Sequence, residues 1–119
     1  MPRGFQIFAH AFEVLEIFAM WTEEDIREAL KDVYDPELGI NIVDLGLVYG
    51  IDIKDRDITV RMTLTSPICP LGPELLECVK RVLGRLPMVG NVNVELVWKP
   101  RWDPHKMASE EAKMELGIY

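Results

Sequence analysis

The chain has 119 residues, 49% of them apolar and 28% charged, the balance of one globular domain that can bury a core without disulfide or metal staples. With 20 acidic against 13 basic side chains the net charge is −7; this opposes the counterion release behind most nucleic-acid binding and sets nucleic acid aside as a ligand. Two cysteines, Cys69 and Cys78, are too few for a disulfide framework, and without an Asn-x-Ser/Thr acceptor they point to a reducing, cytoplasmic setting; no apolar run approaches the ~20 residues of a membrane span.

Residues 1–20 place Phe5, Phe8, Phe12, Leu15 and Phe18 three or four apart, as on a helical stripe. His10, Glu13 and Glu16 interrupt the run, so it does not read as a signal peptide. We expect a helical or accessory extension over 1–20 and a domain over 21–119. Thr22 followed by Glu23, Glu24 and Asp25 is a helix-start signal, and Ile26, Ala29, Leu30 and Val33 continue at helical spacing until Asp35-Pro36 stops the run. From Leu47 the period changes to two. Leu47, Tyr49, Ile51 and Ile53 form one apolar set, and after the polar break Lys54–Asp57, Ile58, Val60, Met62 and Leu64 form another; together they predict an antiparallel hairpin. The alternate face, rich in threonine, is expected either to be solvated or to line a site.

Pro67-Ile68-Cys69-Pro70 breaks the second strand. Leu75, Leu76, Val79, Val82 and Leu83 predict a second helix ending at Gly84, with Cys78 on its packing side. Val92, Val94, Leu96 and Trp98 give a third strand, followed by an irregular aromatic loop through Pro100, Trp102, Pro104 and His105. Ser109 to Leu116 forms a terminal helix closed by Gly117. The order αββαβ, with apolar strand faces and two amphipathic helices to cover them, predicts a two-layer α/β sandwich with a three-stranded sheet and a short C-terminal helix.

Cys69 is the first candidate for chemistry. It sits between a strand and a helix start, where unpaired N–H groups and the helix dipole favour the thiolate, the form that acts as nucleophile and metal ligand; a small packed thiol is the alternative. No local spacing assembles a metal site, and one thiolate per chain cannot hold an iron–sulfur cluster alone, so any cluster is shared with a second subunit, a partner protein or a small thiol. Asp35, Glu37, Asn41 and Asp44 read first as turn-capping residues. Trp98 and Trp102 with their prolines form either a lid or a docking surface.

Taken together, Asp35-Pro36-Glu37-Leu38-Gly39-Ile40-Asn41-Ile42-Val43-Asp44-Leu45-Gly46, Met62-Thr63-Leu64-Thr65-Ser66-Pro67-Ile68-Cys69-Pro70, Trp98-Lys99-Pro100-Arg101-Trp102 and Ser109-Glu110-Glu111-Ala112 resemble the SufT and PaaD-like family of metal–sulfur cluster biosynthesis proteins. The resemblance runs from about Thr22 to Gly117. It implies the αββαβ domain of cluster-scaffold proteins and a cytoplasmic, non-enzymatic role in iron–sulfur cluster assembly or delivery. It assigns the family's reactive cysteine to Cys69, the Asp-Pro-Glu signature to Asp35 to Glu37, and the threonine-rich strand end to Thr63 and Thr65. PaaD-like members carry a cysteine-rich tail and other relatives a fused P-loop ATPase. Neither follows Cys78, so the stand-alone SufT-like type fits best.

The expected protein is thus a maturation factor acting through Cys69, the one candidate metal ligand, with Asp35, Glu37, Asp44, Thr63 and Thr65 in support. Its cluster would be transient and shared; its partners would be scaffold or carrier proteins, apo-clients and a second copy in a homodimer. Two rivals remain at this stage. One is a thiol-dependent redox protein or enzyme with Cys69 as nucleophile and His105 as base. The other is an adaptor binding partners through the Trp98–His105 loop.

Overall fold

The computed structural model describes residues 21–66 and 72–118. The first helix, α1 (Glu23–Leu30), begins where Thr22 Oγ1 accepts the Asp25 N–H and the Asp25 carboxylate accepts the Thr22 N–H, both at 3.1 Å. This reciprocal cap satisfies two end donors, and three acids in the first turn complement the helix dipole. A short helix, α2 (Ile42–Leu45), follows the Asp35-Pro36 turn; Asn41 caps it through its side-chain oxygen, and Gly46 closes it. Strands β1 (Val48–Lys54) and β2 (Asp57–Met62) form the antiparallel hairpin. Helix α3 (Gly72–Gly84) then crosses to β3 (Val92–Leu96), which pairs parallel with β2 and gives the sheet order β1-β2-β3.

Helices α1 and α3 pack against each other and against one sheet face. Ile26, Leu30, Ile58, Val60, Met62, Leu75, Val79 and Leu83 meet between the layers, all buried. Each such side chain contributes about 1.5–3 kcal/mol by leaving water. The Trp21 indole N–H donates to the Pro87 carbonyl at 2.8 Å, which ties the start of α1 to the turn after α3. The two-layer architecture is therefore the one the sequence predicts, with two additions, α2 and a second short helix described below.

The inward set of β1 differs from strict alternation. Val48 pairs with Met62 and Gly50 with Arg61, leaving Tyr49 as the extra residue of a bulge. The bulge turns Val48 into the core together with Ile51, and Tyr49 is only half-buried. The predicted apolar face through Tyr49 is corrected accordingly. The third strand also ends at Leu96, before Trp98. Cys78 is half-buried at the margin of the core, not inside it. The extension over residues 1–20 lies outside the described residues.

Beyond β3 the chain folds back as a strap over α2. It contains α4 (Pro104–Met107), capped by Asp103, inside the segment expected to be irregular, and α5 (Glu110–Leu116), capped by Ser109. The Ser109 N–H donates to the Asp44 carbonyl at 2.7 Å, and the Trp102 indole N–H donates to the Leu45 carbonyl at 2.7 Å. Tyr49 donates its hydroxyl to the Pro100 carbonyl at 2.8 Å. Burial pushes that hydroxyl above its usual pKa, so it stays protonated and able to donate throughout the neutral range.

Gly46 is required where the strap lands. Its φ is +82°, and a Cβ there would lie 2.3 Å from the Met107 carbonyl oxygen. Gly46→Ala therefore combines left-handed strain with a backbone clash. A loss of about 2 kcal/mol or more in urea unfolding is expected; an unchanged midpoint would show that the strap does not press on α2.

Candidate functional site

The strand end that leads towards Cys69 opens into a cleft. Thr63, Leu64, Thr65 and Ser66 form one side, and Trp98, Arg101 and Trp102 from the strap form the other, around a volume of about 520 Å³. Thr63 is 1% exposed and its N–H donates to the Leu47 carbonyl at 2.9 Å, so this end of the threonine-rich face is held against the residue before β1 and lines the cleft. Trp102 has its one polar group committed to Leu45. Trp98 is 42% exposed, a large apolar surface left open on the wall of a concavity.

Residues 67–71, Cys69 among them, lie outside the described residues. Their described flanks meet at one side chain. Leu64 lines the cleft, and a Cβ on Gly72, the first residue of α3, would lie 2.9 Å from Leu64 Cδ1. Ser66 lines the cleft, and Gly72 stands beside the cleft's own Leu64.

The acidic candidates serve the loop between α1 and α2. Asp35 is 1% exposed, and its Oδ1 accepts the N–H groups of Glu37 at 2.8 Å and Leu38 at 3.0 Å. This is the turn-capping geometry expected of an aspartate before proline. The Glu37 side chain is exposed. Asp44 accepts from the Asn41 side-chain amide at 2.7 Å, and its carbonyl anchors Ser109. These groups hold the ground on which the strap sits, and none of them lines the cleft. His105 is exposed on α4, 3.7 Å from the Asp103 carboxylate, and is likewise absent from the lining. Of the residues singled out by sequence, the structure thus joins Thr63, Thr65, Trp98 and Trp102.

Arg101 is a lining residue that sequence reasoning passed over. Its signal is one of two cations between the tryptophans of Trp98-Lys99-Pro100-Arg101-Trp102, a stretch read as an aromatic loop and as a motif of the resemblance, with no role given to Arg101. Cys78 lines a different groove, with Tyr34, Pro36, Pro73 and Arg81. Among the described residues no group of three or more histidine, cysteine or acidic side chains is placed to hold a metal ion, and no helix is long and apolar enough to cross a membrane.

Comparison with known proteins adds four findings. A family model described as iron-sulfur cluster assembly protein matches residues 23–96. The Fe-S protein maturation auxiliary factor YitW of Bacillus subtilis is 48% identical over 97 residues, which span 81% of this chain and 94% of that protein. The Fe-S protein maturation auxiliary factor SufT of Staphylococcus aureus is 48% identical over 87 residues, 72% of this chain and 98% of that protein. A solved structure from Bacillus anthracis, described as a domain of unknown function, superposes with a TM-score of 0.75 at 39% identity, covering 82% of this chain and 92% of that one.

The capping geometry of the Asp-Pro-Glu signature generates a test. Asp35→Ala leaves two loop N–H groups without their acceptor and should cost about 1–3 kcal/mol of stability by chemical denaturation, whereas Asp35→Asn keeps an oxygen there and should cost less. Equal stability of Asp35→Ala and wild type would remove the structural role.

Proposed function

The chain belongs to the iron-sulfur cluster assembly protein family, and from that membership we propose that it is a non-enzymatic factor in iron–sulfur protein maturation that works through the Cys69 thiolate. The observation that carries this reading is the meeting of both flanks of the Cys69 segment at the cleft's Leu64. Cys69 is three residues from Ser66 and three from Gly72 along the chain. Three residues span at most ~11 Å, so covalent connectivity alone keeps Cys69 within reach of the cleft.

The proposed roles follow from position. Cys69 contacts a cluster, a cluster donor or an apo-client. Thr63 and Thr65 line the cleft after β2, and Asp35, Glu37 and Asp44 support the loop before β1. Trp98 and Trp102 offer apolar surface to a partner protein. One thiolate cannot satisfy the cluster irons, so the cluster is cargo held transiently with a second copy, a partner or a small thiol. The relatives named as maturation factors support this over catalysis. His105 stands outside the cleft lining, so the described residues supply no base there. We place the working domain at 21–119, with 1–20 as an accessory extension, and the protein in the cytoplasm.

Anaerobic incubation with iron and sulfide tests the reading. Wild type should develop cluster absorption and Cys69→Ser should not; equal spectra would remove the thiolate as a ligand. Because serine replaces a single sulfur, matching circular dichroism of the two proteins separates ligand loss from misfolding.

A further inference from the structure

We propose that β3 is the docking edge for a second copy of this chain, the two β3 strands pairing antiparallel about Val94 so that Asn93 of each copy faces Glu95 of the other. The sheet has two edges, β1 and β3, and they are built differently. On β1 the bulge at Tyr49 breaks the ladder, the Tyr49 hydroxyl ties the strand to the strap, and the Arg27 guanidinium donates to the Val48 carbonyl at 3.5 Å. Bulges and covering segments blunt an edge against further strands. On β3 the pairing with β2 runs from Val92 to Leu96 without a register shift, and no described strand pairs with its outer side. β3 therefore keeps a regular row of unpaired backbone donors and acceptors.

The ladder fixes which groups face outward. The Asn91 carbonyl accepts the Ile58 N–H, and the Val97 N–H donates to the Met62 carbonyl, both towards β2. Backbone groups alternate in direction along a strand, so those of Asn93 and Glu95 also serve β2, and those of Val92, Val94 and Leu96 face the open edge. A two-fold axis at Val94 sets Val94 against its own counterpart and Val92 against Leu96 of the partner subunit, each pair exchanging two hydrogen bonds. This axis pairs the whole strand, and its isologous contact closes at two copies. An axis at Glu95 would instead bring two carboxylates face to face, which repulsion disfavours.

The side chains fit the same register. On the helix-facing side Val92 and Val94 pack against the core, whereas Leu96 is 38% exposed. Pairing lays Leu96 beside Val92 of the partner subunit and takes that apolar surface out of water. On the other face Asn93 and Glu95 are exposed, and neither side chain makes a hydrogen bond or ion pair with a described residue. Arg61 stands opposite Glu95 in the ladder but is paired with Asp52. The antiparallel register sets the Asn93 amide, a donor, against the Glu95 carboxylate, an acceptor, twice by symmetry. A strand of five residues makes a small interface beside the ~1,200–2,000 Å² of standard ones, so the dimer is weak and forms at high concentration. The inference uses β3 alone and is independent of how the cleft is used.

Sedimentation velocity of the full chain in reducing buffer, from low-micromolar to millimolar concentration, is the test. Wild type should pass from the 13.7 kDa monomer to a dimer as concentration rises. Asn93→Glu sets carboxylate against carboxylate at both symmetry-related positions and should raise the Kd about tenfold, whereas Asn93→Lys pairs with Glu95 and should lower it by a similar factor. Both substitutions lie on the exposed face and leave the core untouched. Hydrogen exchange at the Val94 amide should slow as the dimer forms. A monomer at every concentration would overturn the proposal and leave β3 open to a strand of another protein. Equal Kd values for the two Asn93 variants, or a dimer in which the Val94 amide exchanges no more slowly, would also overturn it.

Discussion

The hydrogen bond from the Trp102 indole to the Leu45 carbonyl joins the two halves of the candidate site. On one side stands the αββαβ domain, whose second strand is followed by Thr63, Leu64, Thr65 and Ser66. On the other stands a strap that lies beyond residue 96, where the family match stops. Without a fixed strap, Trp98, Arg101 and Trp102 would have no defined distance from the strand end. Ser109 on Asp44, Tyr49 on Pro100 and the tight packing of Met107 on Gly46 act in the same sense. All four contacts converge on residues 44–49, from the end of α2 into the start of β1.

That convergence explains the acidic loop without assigning it chemistry. Asp35 folds its own turn, Asn41 starts α2, and Asp44 bonds to both Asn41 and Ser109. The loop is a platform, and the platform sets where the tryptophans stand. The bulge at Tyr49 belongs to the same device: it directs Val48 inward and leaves the Tyr49 hydroxyl free to reach Pro100.

Much of this was legible in the residues. The Thr22 cap, the period-two run after Lys54–Asp57, and the helical stripe from Leu75 to Leu83 each rest on local rules, and the structure follows them. What escaped was non-local or too short for periodicity. A four-residue helix such as Ile42–Leu45 offers a single turn and no repeating stripe, and Pro104–Met107 is equally brief. The Tyr49 bulge depends on pairing with Arg61 and Met62, which no window over the first strand contains. Arg101 gains its meaning only once the strap brings it into the cleft that Thr63 and Thr65 also line. The family resemblance, by contrast, was carried by dispersed motifs whose spatial relation the sequence alone leaves open.

The proposed function depends on the Cys69 thiolate. In a strain lacking the protein, the most direct measurement is the activity of resident iron–sulfur enzymes after complementation with wild type or with a Cys69→Ala form expressed at the same level. Restoration by wild type alone is the predicted result; full restoration by Cys69→Ala would contradict the account, and would move the function to the surface formed by the tryptophans.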